Sequence, residues 1–135
     1  MSITHGQHEL DTCDLRLQAL INAVARQVDV EVVQGHRSHE QAMQNVASGH
    51  SHTLHSKHEA NPSLAVDVGP AGMLAAWTKG HDLPGEAYVK LSNIVLSEAK
   101  KRGIKIRWGG DWDMKGDGNK QGQLNDLVHY EIMEG

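Results

Sequence analysis

The apolar residues of this 135-residue chain repeat with two different periods, and this constrains the fold more than any other feature. Between Thr12 and Val28 they recur at helical spacing, which predicts one apolar stripe on a helix, with Asp11 or Thr12 as the N-cap. The same spacing returns after Pro84 and predicts a second helix that ends before Gly103. The two stripes consist of Leu17, Leu20, Ile21, Val24 and Val28, and of Tyr88, Leu91, Val95 and Ala99.

Other segments are short, and several alternate apolar and polar residues, which is typical of strands packed on one face. Ser38 and Gln41 form a capping box, which predicts a short helix over 38–47. Because helices and strands mix without strict alternation, we expect an α+β domain with a small, mostly antiparallel sheet and about three helices. Strands are predicted at 28–32, 64–68, 104–108 and 128–132.

Composition excludes several classes of protein. The net charge of −4 argues against a basic surface that follows phosphates, so no nucleic-acid partner is expected. Cys13 is the only cysteine, which excludes an intramolecular disulfide and a zinc cage built from cysteines. No apolar run approaches the roughly 18 residues of a membrane helix, so no membrane insertion is expected. The length predicts a single domain over 1–135.

Three residues could form a hydrolytic zinc site, which needs three ligands from His, Asp or Glu and one open position for water. These are His58, Asp67 and His129, the last lying two residues before Glu131. Asp67 interrupts an apolar strand, where a buried carboxylate costs several kcal/mol unless it is paired or bound to a metal. Spacing alone leaves other interpretations open: Asp67 could face solvent at a strand end, and His58 could be structural or solvated.

Taken together, several ordered motifs are more specific than any of these spacings. They are Gly35-x-Arg37, Ser56-x-His58, Ala65-x-Asp67, Gly109-Gly110-Asp111-Trp112 and Asp126-x-x-His129. In this order they resemble the zinc peptidases of the D-alanyl-D-alanine carboxypeptidase-like group, and more closely the phage endolysins that are L-alanyl-D-glutamate peptidases. The resemblance extends from about Val32 to Glu131.

The resemblance implies a role for each matching residue. His58, Asp67 and His129 match the three zinc ligands of the family. Asp126 matches its catalytic carboxylate, the general base that takes a proton from the activated water and passes it to the leaving amine. Arg37 matches an arginine that engages substrate near the metal, and a guanidinium is suited to clamp a carboxylate of the stem peptide.

Further matches concern substrate binding. Ser56 stands at the family's serine before the first histidine, and Gln41 follows Arg37 at the family's spacing. Trp112 is predicted to form a wall of the cleft. The sequence departs from the family's His-x-x-Gly-x-Ala-x-Asp pattern, because His58 and Asp67 are nine residues apart rather than seven and Ser63 stands at the glycine position. An insertion of two residues around 60–62 accounts for the longer spacing. This departure leaves His55 as an alternative ligand to His58.

The segment before the last strand is expected to lie beside the metal. On an extended strand, Asp126 and His129 would point to opposite faces, so we place Asp126 on the loop before the strand. Residues 109–122 contain five glycines and predict a long, flexible loop next to the site. Residues 113–119 resemble a calcium loop, but Lys115 and Leu124 occupy positions that need oxygen ligands. An EF-hand is therefore excluded, and a weak regulatory cation site, such as one for Ca²⁺, remains open.

The first functional hypothesis is a zinc-dependent peptidoglycan endopeptidase that cuts the L-alanyl-D-glutamate bond of the stem peptide. A D-alanyl-D-alanine carboxypeptidase or dipeptidase on the same scaffold is the alternative, and a non-catalytic zinc-binding domain is the second alternative. No signal peptide is visible, which fits the resemblance to phage endolysins. The resemblance implies an enzyme that stays in the cytoplasm of the producing host cell and reaches the wall after the membrane is permeabilised, without a separate wall-binding domain. We expect a monomer, the default for a small hydrolase.

Overall fold

A single five-stranded sheet organises the computed structural model, which describes residues 1–36, 62–111 and 127–133. Its strands lie in the spatial order β1-β2-β3-β5-β4. The first two strands run parallel, and the other three neighbouring pairs are antiparallel. The sheet is therefore mostly antiparallel, as predicted. The strands are β1 (Ile3–His5), β2 (Val30–Gln34), β3 (Ala65–Pro70), β4 (Ile106–Trp108) and β5 (His129–Ile132).

The part of the chain that the structure describes contains four α-helices rather than about three. Two of them, α1 and α3, are too short to show an apolar stripe, which is why the sequence did not indicate them. The helix predicted over 38–47 lies outside the described residues. The helices are α1 (Gln7–Leu10), α2 (Leu15–Ala25), α3 (Met73–Thr78) and α4 (Gly85–Lys101), and a short 3₁₀ turn (Gly109–Asp111) follows β4.

Helix α2 begins at Leu15, so the predicted N-cap at Asp11 or Thr12 is wrong. The cap is Asp14, whose side chain accepts a hydrogen bond from the backbone nitrogen of Arg16 at 2.8 Å. Ser63 holds the residues just before the helix. Its backbone nitrogen donates to the carbonyl of Thr12 at 3.0 Å, and its carbonyl accepts from the backbone nitrogen of Asp14 at 2.8 Å. This bridge keeps the chain extended before the helix.

Helix α4 confirms the second predicted helix. Its N-cap is Pro84, and it ends at Lys101, just before Gly103 in the left-handed region at φ 70°. The backbone nitrogen of Ile104 then returns to the carbonyl of Ala99 at 2.9 Å, which closes the helix end. Residues Lys100 and Lys101 lie in the last turn, where positive charge complements the helix dipole.

The hydrophobic core lies between these helices and one face of the sheet. Helix α4 contacts α2, β3 and β4. Alternate residues of the central strands, among them Val66, Val68, Tyr130 and Ile132, are fully or almost fully buried there. Each large apolar side chain that is removed from water in this way stabilises the fold by about 1.5–3 kcal/mol.

Two of the differences from the predicted strands have the same cause, which is pairing with β2. β3 continues through Gly69 and Pro70, because these residues pair with Glu31 and Val30. Strand β1 was not predicted, since three residues show no period and are ordered by their parallel pairing with β2.

Within the described ranges, no helix is both long enough and apolar enough to cross a membrane.

Gly6 joins β1 to α1 and should tolerate no side chain. Its φ is +82°, and a Cβ there would lie 1.8 Å from the carbonyl oxygen of Val32. Gly80 provides a matched control, because its φ is +78° and a Cβ there would meet no atom within 4 Å. Gly80→Ala should cost about 1 kcal/mol of unfolding free energy from backbone strain alone. Gly6→Ala should cost about 2 kcal/mol more, because β2 must also shift. Urea denaturation measures both, and equal losses would contradict the close approach of Gly6 to β2.

Candidate metal centre

The candidate site is formed where β3 and β5 pair. Asp67 and His129 are register partners in this antiparallel ladder, so their side chains emerge side by side. Oδ1 of Asp67 and Nδ1 of His129 lie 3.3 Å apart. Each residue is only 8% exposed, so the interpretation of Asp67 as a solvent-facing residue is wrong. Two buried ionisable side chains thus lie next to each other on neighbouring strands of the sheet.

The alternation of the strands separates this pair from the core. Val66 and Tyr130 are also register partners, and both point into the hydrophobic core on the other face. Asp67 and His129 therefore lie on the face opposite the core helix α4, which contacts β3. The polar pair can be held by the sheet without interrupting the core.

Glu131 is a third member of the site to which sequence reasoning assigned no role. It follows His129 by two residues on β5 and so lies on the same face. Its Oε1 lies 2.9 Å from Nε2 of His129, which places the imidazole between two carboxylates. The signal that could have found it is the His-x-Glu spacing on a predicted strand.

The donor atoms of Asp67 and His129 fit a zinc ion. Zinc accepts imidazole nitrogen and carboxylate oxygen at about 2.0–2.2 Å, so two tetrahedral ligands lie roughly 3.3–3.5 Å apart. The observed separation of 3.3 Å meets this requirement. Within residues 1–36, 62–111 and 127–133, no three His, Cys, Asp or Glu side chains form a group that could hold a metal ion. The described residues thus supply two ligands of a candidate centre.

The other predicted site residues lie outside the described residues, so their placement stays a prediction. The same holds for the possible cation loop at 113–119 and for most of the glycine-rich segment. These site residues are Arg37, Gln41, Ser56, His58, Trp112 and Asp126.

The described residues on either side of the segment 37–61, which carries four of these predicted residues, are bound to one turn. On the entering side, the backbone nitrogen of His36 donates to Oγ1 of Thr12 at 2.7 Å. On the returning side, the backbone nitrogen of Ser63 donates to the carbonyl of Thr12 at 3.0 Å. The buried hydroxyl of Ser63 also lies 2.6 Å from the carbonyl of Ala65, at the start of β3. The chain after β2 and the chain before β3 are therefore held beside the same turn.

The described residues on either side of the segment 112–126 are joined at the opposite end of the β3–β5 ladder. Nε1 of Trp108 donates to the carbonyl of Leu127 at 2.8 Å and ties the end of β4 to the turn before β5. β5 begins at His129, and Asp126 lies outside the described residues, so its place on the loop before the strand stays a prediction.

Cys13 takes no part in this chemistry. It is buried and lies just before α2. Burial raises the pKa of its thiol to about 12, so the thiolate that a metal requires is scarce at neutral pH. Its Sγ lies 3.8 Å from the carbonyl of Ala65 and fills space beneath β3.

Two comparisons with known proteins find a match. The structure of Serratia marcescens L-Ala D-Glu endopeptidase ChiX is similar to this chain, with a TM-score of 0.72 and 27% sequence identity over 94% of this chain and 85% of that chain. A comparison with curated protein sequences finds no significant match. A family model described as phage L-alanyl-D-glutamate peptidase matches residues 3–133, nearly the whole sequence. The chain therefore belongs to the phage L-alanyl-D-glutamate peptidase family.

Proposed function

We propose that this protein is a zinc-dependent peptidoglycan endopeptidase that hydrolyses the L-alanyl-D-glutamate bond of the stem peptide. The observation that carries the proposal is the buried, in-register pair of Asp67 and His129, with its ligand atoms 3.3 Å apart, in a member of this peptidase family. The similarity to an L-Ala D-Glu endopeptidase supports the choice of bond.

Three residues hold the metal in this proposal. Asp67 supplies a carboxylate oxygen and His129 supplies Nδ1, the two atoms that face each other across the ladder. His58 supplies the third ligand, by its match to the family's motif. When bound, zinc polarises the scissile carbonyl and lowers the pKa of a coordinated water to about 7.

Asp126 moves the proton in this proposal. Its carboxylate takes a proton from the attacking water, whose oxygen forms a bond to the carbonyl carbon of L-alanine. The carbon–nitrogen bond then breaks, and Asp126 returns the proton to the nitrogen of D-glutamate, which leaves as an amine. The water is divided between the two products, and the enzyme forms no covalent intermediate.

Residues around the metal position the stem peptide. The guanidinium of Arg37 can pair with a substrate carboxylate and stabilise the developing oxyanion near the metal. Ser56 and Gln41 contact the peptide beside Arg37, and Trp112 forms a wall of the cleft. The proposal also includes a weak regulatory cation site at 113–119, such as one for Ca²⁺.

The proposal also covers where the enzyme accumulates and where it acts. We propose that the enzyme accumulates as a monomer in the cytoplasm of the producing host cell and reaches the peptidoglycan once the membrane is permeabilised. It partners the stem peptide and neither nucleic acid nor the membrane interior. The overall charge of −4 is consistent with the absence of nucleic acid among its partners.

Mass spectrometry of purified peptidoglycan after digestion tests the proposed bond. Hydrolysis between L-alanine and D-glutamate should produce fragments with a new N-terminal D-glutamate. Release of free D-alanine would contradict this assignment and support the carboxypeptidase alternative. A metal-loaded protein that releases neither product would support the non-catalytic zinc-binding alternative.

Asp126→Ala should separate catalysis from metal binding. Loss of a general base lowers the rate by about 10²–10⁴-fold, while the three proposed ligands are left in place. We expect peptidoglycan clearing to fall by this factor and zinc content, measured by atomic absorption, to stay at the wild-type level. Asp11→Ala, which removes an exposed carboxylate bonded to Gln7, is the matched control and should keep full activity. Clearing by Asp126→Ala at the wild-type rate would contradict the mechanism.

A further inference from the structure

The hydrogen bond between Glu131 and His129 has no role in the mechanism above. It joins Oε1 of Glu131 to Nε2 of His129 at 2.9 Å, and both side chains are largely buried. This ring nitrogen is the one that faces away from Asp67, since Nδ1 faces the Asp67 carboxylate. The two carboxylates therefore contact the two different nitrogens of one imidazole.

The chemistry of imidazole makes this arrangement selective. A neutral ring carries one N–H donor and one lone pair, and the partner of one nitrogen decides which tautomer is present. A carboxylate accepts hydrogen bonds only, so Glu131 holds the ring proton on Nε2. The lone pair of His129 is then on Nδ1, the atom beside Asp67. Glu131 thereby prepares His129 to donate to a metal that Asp67 also binds.

The two distances distinguish this arrangement from its mirror image, in which Glu131 binds the metal and Asp67 orients the ring. The separation at Nε2, 2.9 Å, is the ordinary length of an N–H···O hydrogen bond. The separation at Nδ1, 3.3 Å, is longer than that and matches two ligands of one tetrahedral ion. Asp67 therefore has the geometry of a ligand, and Glu131 has the geometry of its support.

The sheet explains why Glu131 can occupy this place. Its register partner on β3 is Ala65, whose methyl group leaves room above the ladder for the longer glutamate side chain. Its register partner on β4 is Arg107, so a positive charge originates on the neighbouring strand. A glutamate at this position is thus flanked by a small residue on one side and a cation on the other.

We propose that Glu131 is a positioning residue for the metal centre: it fixes the tautomer and orientation of His129 so that Nδ1 is ready to bind zinc. This inference rests on the proposed zinc site. Carboxylates that support a histidine ligand in this way change metal affinity by about 10–100-fold when they are removed. The role of Glu131 is thus measurable without reference to catalysis.

The test uses zinc alone as the probe and compares four variants of the full chain. Glu131→Ala should weaken zinc affinity by about 10–100-fold in chelator-competition titrations. Glu131→Gln should lose less, because its amide oxygen still accepts the Nε2 proton. Asp67→Asn should lose more than Glu131→Ala, because it alters a ligand. Glu98→Gln is the matched control, since Glu98 pairs with Arg102 on α4, and should bind zinc as the wild type does.

A second readout requires no metal. Nitrogen-15 NMR of the metal-free wild-type protein, at a pH that keeps the ring neutral, should show His129 protonated on Nε2. The same resonances in Glu131→Ala should shift toward a mixture of tautomers. A purely structural role for Glu131 would lower the unfolding free energy without changing the tautomer.

The outcomes separate this inference from the proposed function. A wild-type protein that binds no zinc overturns the proposed zinc site. Zinc affinity in Glu131→Ala equal to that of the wild type overturns the positioning role and leaves the zinc site standing. A wild-type ring protonated on Nδ1, or a larger loss in Glu131→Ala than in Asp67→Asn, also overturns it, because Glu131 would then be the ligand. The wild-type tautomer decides the matter even if Glu131→Ala fails to fold.

Discussion

The register between β3 and β5 is the constraint on which the candidate site depends. It places Asp67 opposite His129 and, at the same time, Val66 opposite Tyr130 on the other face. Because side chains alternate along a strand, a slip of one residue would move the ionisable pair into the core and the apolar pair out of it. The hydrophobic contacts that bury Val66 and Tyr130 therefore also hold the two proposed ligands together. Core packing and site geometry are consequences of one pairing.

The carboxylates of the sheet show how one surface combines structural and chemical roles. Glu31 on β2 accepts hydrogen bonds from the backbone nitrogens of Gly72 and Leu74, at the start of α3. These two bonds fix the start of α3 to the sheet and engage both carboxylate oxygens of Glu31. Asp67 and Glu131 instead contact the two nitrogens of His129. The partner of each carboxylate, rather than its burial, distinguishes a structural group from a site residue.

The sequence was sufficient for the parts of the fold that have a clear period. The helix that begins after Pro84 could be predicted because its apolar stripe and its terminal glycine agree. The start of α2 could not, because Asp14 is selected as the N-cap by backbone bonds to Ser63, a residue distant in sequence. Strand β1 and the last residues of β3 are likewise ordered by pairing with β2 rather than by their own composition. Long-range pairing is invisible to local patterns.

For the site, ordered motifs identified Asp67 and His129, and the structure brings them together. Spacing could not show that Asp67 is buried, because alternation alone allowed it to face solvent. Nor could it assign Glu131, since a His-x-Glu spacing has meaning only once both residues are known to lie on one strand face. These two facts depend on the sheet and its register.

The most direct test of the account is a crystal structure of the zinc-loaded protein, with anomalous diffraction measured on both sides of the zinc absorption edge. The account predicts one zinc peak within ligand distance of Oδ1 of Asp67 and Nδ1 of His129, with Glu131 still bonded to Nε2. A zinc peak bound through Nε2 of His129 and Glu131, or a peak that avoids the β3–β5 ladder altogether, would contradict it.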